Sequence, residues 1–137
     1  MNSKLDFTKC IMAGLYAAII SVALNAMLFF ILVMTEVITN DVLINGEKLT
    51  YVPVIISSGV SSLVASVVFF LFEQFTDRGF RYFSIFAFIL FVASLFSPFL
   101  SIPNVPMKYA LGLNAMHLVV YAAITIFIMQ AGEIENE

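Results

Sequence analysis

The chain has 137 residues, of which 62% are hydrophobic, 15% are aromatic and only 11% are charged. Soluble domains average about 45–50% apolar and about 25% charged residues, so this sequence has roughly half the charge that a water-facing surface needs. It is therefore expected to be a membrane protein, and its length predicts a single domain over residues 1–137. A multidomain receptor and a sizeable soluble catalytic domain are excluded.

Four segments are long and apolar enough to cross a bilayer, which takes about 20 residues at a rise of about 1.5 Å each. They are expected at about residues 10–34, 52–74, 82–99 and 109–130. Pro98, Pro103 and Pro106 mark the break before the fourth helix. Because the connections are short, consecutive helices should be antiparallel neighbours. The predicted fold is an all-α membrane protein, an antiparallel four-helix transmembrane bundle.

Orientation follows from the Lys and Arg residues near the ends of the spans. Four of them fall on one side of the membrane and two on the other: Lys4, Lys9, Arg78 and Arg81 against Lys48 and Lys108. This asymmetry predicts that both termini face the cytoplasm, in a bacterial plasma membrane. The first span is too long for a secretory signal sequence, so it is expected to remain as an anchor.

The loop between the first two helices, residues 36–51, is expected on the outer side. Its Asn45-Gly46 pair supplies the two positive-φ positions of a type I′ turn, and Val42 to Ile44 and Glu47 to Val52 read as short flanking strands. A small hairpin resting on the helix ends is favoured, with an irregular polar loop as the alternative.

Small and polar residues should mark the inner faces, because helices in lipid associate through close packing and hydrogen bonds. They recur at helical spacing in the first two helices: Gly14, Ala18, Ser21 and Asn25, then Ser58, Ser62 and Ser66. The fourth helix repeats the pattern with Ala110, Asn114, His117, Tyr121 and Thr125. The serine stripe of the second helix is typical of a packing surface rather than of a pore lining.

Several of these polar residues converge on one layer, roughly 9–15 Å below the expected outer ends of the helices. The candidate site is an intramembrane polar cluster of Asn25, Ser58, Ser61, Ser62, Asn114 and His117, with Tyr121 as the next link. In one interpretation His117 relays a proton or binds a ligand, because an ionisable residue within a span is a functional candidate. In the other, a neutral His117 simply joins helices by hydrogen bonds.

The residues and motifs that the sequence lacks limit the reactions it is expected to catalyse. Cys10 is the only cysteine, all acidic residues lie outside the spans or at their ends, and no Gly-x-Ser-x-Gly motif is present. No enzymatic activity, cofactor or metal site is therefore expected. Nucleic-acid binding is excluded by six basic residues and a net charge of −3.

Three short stretches carry a resemblance over nearly the whole chain: the small-residue first helix from Gly14 to Asn25, Ser97-Pro98, and Met116-His117-Leu118. In these the sequence resembles uncharacterised bacterial four-span integral membrane proteins of the domain-of-unknown-function type, which implies no activity. The expected role is an accessory or structural protein that associates through its helices, in the lipid bilayer, with itself or with a membrane-protein partner. The alternative is a small transporter or channel component that uses the polar layer around His117.

Overall fold

The computed structural model describes residues 4–134. Each of its four long helices is apolar and long enough to span a membrane, which confirms the four predicted spans. A two-stranded hairpin lies between the first and second helices. In chain order the elements are α1 (Phe7–Met34), β1 (Leu43–Ile44), β2 (Glu47–Lys48), α2 (Tyr51–Phe75), α3 (Gly79–Ser101) and α4 (Met107–Ile134).

Helix α3 is longer than expected, and the prediction that Pro98 marks the break before the last helix is wrong. Pro98 lies inside α3, which continues to Ser101. A proline in the last turn removes one N–H, so only the carbonyl of Ser94 loses its helical donor. The turn still closes, because the Ile102 N–H donates to the Pro98 carbonyl at 3.2 Å.

The α1–α2 interface contains the small residues that the periodicity assigned to the inner faces. Gly14 of α1 and Ser62 and Ser66 of α2 are buried there. A Cβ at position 14 would overlap the Ser66 side chain and would lie 3.2 Å from the Ser62 carbonyl oxygen. Only glycine therefore allows the two backbones to come this close.

The hairpin is antiparallel, and its register pairs Leu43 with Lys48 and Ile44 with Glu47. The turn residues Asn45 and Gly46 have φ values of 53° and 86°, the left-handed conformation that a type I′ turn needs. Ile44 and Leu49 are partly buried against an apolar cluster at the neighbouring helix ends. This cluster holds the hairpin over one end of the bundle, which we call the hairpin end.

At the opposite end, which we call the turn end, residues 76–78 join α2 directly to α3. A Cβ at Gly79 would overlap the backbone of Glu73, so glycine is required for this close approach. One turn further into the bundle, the rings of Phe69 and Phe83 pack edge to face with centroids 5.3 Å apart. The two helices are therefore tightly joined at the turn end.

Towards the hairpin end, α2 and α3 are less closely packed. Among the described residues no hydrogen bond links α2 to α3, and only Gly79, Phe83 and Pro98 of α3 are buried. Helix α3 is connected to α4 instead, where Asn114 Nδ2 donates to the Leu95 carbonyl at 3.1 Å. This arrangement leaves space between α2 and α3.

Candidate functional site

The space between α2 and α3 is a cleft of about 680 Å³. Helix α4 forms the back wall of the cleft. Ile44, Asn45 and Leu49 of the hairpin region line the cleft at the hairpin end. Ligand-binding cavities in proteins fall in the range of about 300–1,000 Å³. The cleft is thus large enough for a small molecule.

Serine side chains line the part of the cleft nearest the hairpin. Those from α2 are Ser57, Ser58 and Ser61, and those from α3 are Ser94, Ser97 and Ser101. The Ser57 hydroxyl donates to the Val54 carbonyl at 3.2 Å, and the Ser94 hydroxyl donates to the Phe91 carbonyl at 2.6 Å. The hydroxyls of the exposed Ser61, Ser97 and Ser101 have no partner among the described residues.

The part nearest the turn end is apolar. It is lined by Val64 and Val68 of α2 and by Phe83, Phe86 and Leu90 of α3. The cleft therefore changes from hydroxyl-rich to hydrocarbon-like along the length of the bundle.

Asn25 is fully buried at the junction of three helices, and it borders the cleft. Its Nδ2 atom donates to Ser58 Oγ at 2.9 Å and to the Met116 carbonyl at 3.2 Å. Ser58 in turn donates to the Val54 carbonyl at 2.8 Å. Asn25 thus connects α1 to α2 and α4, while its Oδ1 atom is buried without a partner.

Ser62 takes part in the α1–α2 contact and does not line the cleft. Its hydroxyl lies 3.1 Å from Ser21 Oγ and donates to the Ser58 carbonyl at 2.9 Å. Asn114 lies apart from both groups, since its amide bonds to α3 and its Oδ1 atom is buried without a partner. The predicted cluster is therefore divided between two helix interfaces and the cleft.

His117 and Tyr121 both line the cleft. The Tyr121 ring stacks on Phe91 of α3 with centroids 4.6 Å apart, which makes it part of the wall. His117 makes no hydrogen bond to any other described residue. Its imidazole therefore does not join helices here, and whether it binds a ligand or relays a proton stays a prediction.

Sequence reasoning missed the serines of α3 as part of the same site. Ser94 and Ser97 are visible as a small-residue stripe, but Ser101 lies beyond the end expected for that helix. The signal that could have found it is the i, i+4 spacing of Ser97 and Ser101, which continues the face if the helix extends two residues beyond its expected end at residue 99.

Charged side chains at the hairpin end lie outside the cleft. Lys108 Nζ donates to the Glu36 carbonyl at 2.7 Å, and Glu36, two residues after the end of α1, has a left-handed conformation with φ of 56°. A hydrogen bond from the Thr39 side chain lowers the pKa of the Asp41 carboxyl below its ordinary value. The charges at this end therefore hold the loop and are absent from the cleft wall among the described residues.

No curated protein and no solved structure matches the chain. Residues 6–133 match the profile of DUF6069, a family of unknown function, and they include all four helices but the last residue of α4. The chain belongs to the DUF6069 family.

Proposed function

We propose that this four-span protein binds a small amphiphilic molecule in the α2–α3 cleft, as a small transporter or as a component of one. The observation that carries the proposal is the cleft itself, which has a volume of about 680 Å³, is polar towards the hairpin end and is apolar towards the turn end. Ligand sites are usually mainly apolar cavities with a few well-placed polar groups, and this cleft has that composition.

Binding is proposed rather than catalysis. The cleft holds serine hydroxyls and one imidazole, and a Ser–His nucleophile needs the two within hydrogen-bond reach. His117 is not hydrogen bonded to any serine among the described residues. The proposal therefore includes no covalent chemistry, cofactor or metal.

Filling the cleft tests this function. Val64 and Val67 are both exposed valines of α2, but only Val64 lines the cleft. We expect Val64→Trp to remove a non-covalently bound amphiphile that co-purifies with the full-length protein in native mass spectrometry, and Val67→Trp to retain it. Equal amounts of bound amphiphile in the two variants, or none in the unmodified protein, would contradict the proposal.

A second candidate function is helix association with a second copy or with a membrane-protein partner, as an accessory or structural protein. Ser57 and Ser61 of α2 face Ser97 and Ser101 of α3 across the cleft, and small residues four apart favour close helix contact. The small residues of α1 are already packed against α2. A partner helix would therefore have to enter at α3.

The volume of the cleft favours a small molecule over a partner helix as its occupant. A helix about 10 Å wide and about 25 Å long fills about 2,000 Å³. The cleft offers about 680 Å³, so a whole helix could enter only if α2 and α3 moved apart. Crosslinking in native membranes from a cysteine introduced at exposed Leu100 tests the association, and we expect a discrete crosslinked species if α3 binds a partner.

We also propose that both termini face the cytoplasm of a bacterial plasma membrane. Support comes from Lys4 and Lys9, before α1 and in its first turn, and from Arg78 and Arg81, at the α2–α3 turn and in the first turn of α3. The excess of positive charge is therefore at the turn end. A reporter fused to the C-terminus and active only in the cytoplasm should be active. Activity of a reporter that works only in the periplasm, fused at the same position, would contradict this orientation.

A further inference from the structure

We infer that the cleft selects an amphiphile with an uncharged, hydrogen-bonding head and one apolar chain, such as a long-chain alcohol or a monoacylglycerol. This rests on the proposed function and specifies its ligand. The inference comes from three properties of the cleft wall: its charge, its hydroxyl groups and its volume.

Charge is the first property. The cleft is lined by no Asp, Glu, Lys or Arg among the described residues. A charged group taken out of water costs several kcal/mol unless an opposite charge or metal compensates it. A cationic head would find no opposite charge here, and an anionic head would find only the imidazole of His117. An uncharged head needs only hydrogen bonds.

Hydroxyl groups supply those bonds. Ser61, Ser97 and Ser101 each offer one donor and two acceptor positions that no described residue uses. The carbonyl of Ser94 in addition lacks its i+4 helical donor, because Pro98 has no N–H. These groups come from both walls at the hairpin end, so a hydroxyl or ester head between the walls could both donate and accept.

Volume sets the size of the ligand. At about 30 Å³ per non-hydrogen atom, which is the volume of one water molecule in the liquid, the cleft holds roughly 20 atoms. A chain of about 16 carbons with a small head matches this number, while a two-chain phospholipid exceeds it. The apolar part between Val64 and Phe86 would contact the chain.

The test uses three photoactivatable probes that share one hexadecyl chain and differ only in the head: hexadecanol, hexadecyl sulfate and hexadecyltrimethylammonium. The full-length protein in nanodiscs is irradiated with trace amounts of each, and the labelled peptides are mapped by mass spectrometry. We expect the alcohol to label cleft-lining peptides of α2 and α3 at least about tenfold more than either charged probe, since tenfold corresponds to only about 1.4 kcal/mol.

Adding a charge should change the preference. Ser61→Lys places a cation in the cleft wall, so the sulfate probe should gain labelling relative to the alcohol. Ser84→Lys is the matched control, because Ser84 is on α3 and does not line the cleft. Ser101→Lys provides a second variant at an exposed position if Ser61→Lys does not fold.

The outcomes separate the two proposals. Equal labelling of the cleft by all three probes, or an unchanged preference in both lysine variants, would overturn the selection for an uncharged head and leave amphiphile binding intact. Labelling that avoids the cleft for every probe would overturn the proposed function itself.

Discussion

Helix α2 contacts α1 on one face and α3 on another, and the two contacts are built differently. Against α1 it presents Ser58, Ser62 and Ser66, all buried and all hydrogen bonded, and of these only Ser58 also borders the cleft. Against α3 it presents Ser57 and Ser61, both exposed to the cleft. One helix thus carries two serine stripes, of which one packs helices together and the other lines an open space.

The difference follows from what lies opposite each stripe. Gly14 lets the α1 backbone approach so closely that the serine hydroxyls of α2 must bond within the interface. Opposite the second stripe, α3 is fixed to α2 at Gly79 and Phe83, near the turn end. Small residues therefore produce tight packing only where the partner backbone is also free of side-chain bulk.

The largest expected effect comes from closing the space at Gly14. Gly14→Ala should destabilise the protein by about 3 kcal/mol, at the upper end of what overpacking usually costs, because the new methyl group overlaps Ser66. The free energy of unfolding is measured by titration with sodium dodecyl sulfate in mixed micelles, followed by circular dichroism.

Gly59→Ala is the control for helix propensity. A Cβ at position 59 meets only Val22 Cγ2 at 3.6 Å, so we expect no loss and up to about 1 kcal/mol of gain. Ser66→Gly should restore stability in the Gly14→Ala background, since it removes the overlapping atoms. A Gly14→Ala protein as stable as Gly59→Ala would show that α1 and α2 are not in close contact there.

Adjacent serines allow the two faces of α2 to be compared directly. Ser62→Val should cost about 2 kcal/mol, because it adds bulk to a filled interface and removes bonds to Ser21 and to the Ser58 carbonyl. Ser61→Val should change stability by less than about 0.5 kcal/mol, because Ser61 is exposed and unbonded. Similar losses for both variants would mean that the cleft closes in the membrane.

The buried network around Asn25 should contribute less. Interhelical hydrogen bonds in membranes average about 0.6 kcal/mol and reach about 1.7 kcal/mol. A double-mutant cycle of Asn25→Ala and Ser58→Ala should give a coupling in that range, because Asn25 Nδ2 donates directly to Ser58 Oγ. The cycle of Asn25→Ala with the distant Ser84→Ala should give none.

Much of the fold could be predicted because lipid imposes simple requirements. Long apolar segments must be helical, and the period of Gly14, Ser21 and Asn25 identifies the buried face of α1. The end of α3 was misplaced because proline in a last turn costs only one hydrogen bond, and sequence alone does not tell that case from a helix stop.

The candidate site was harder to predict for a different reason. Helical periodicity assigns a residue to a face but does not say how far away the next helix lies. Ser61 and Ser62 are neighbours at the same depth, yet one lines a cleft and the other is buried against Ser21. That distinction depends on where α3 diverges from α2, which is set by Gly79 and the short turn and not by either serine.

Asn114 gives the smallest expected effect and tests how α3 is held. Its amide makes one bond to the Leu95 carbonyl, while its buried Oδ1 has no partner. Asn114→Leu therefore loses one weakly stabilising hydrogen bond and also removes a buried oxygen whose missing partner is destabilising. We expect global stability to change by less than about 0.6 kcal/mol. Amide hydrogen exchange should nevertheless become faster in α3 near Leu95 and stay unchanged in α1, because that bond is the only hydrogen bond between α3 and α4 among the described residues. Faster exchange in α1 as well would mean that α1 and α3 open together. The space between α2 and α3 would then not depend on α3 alone.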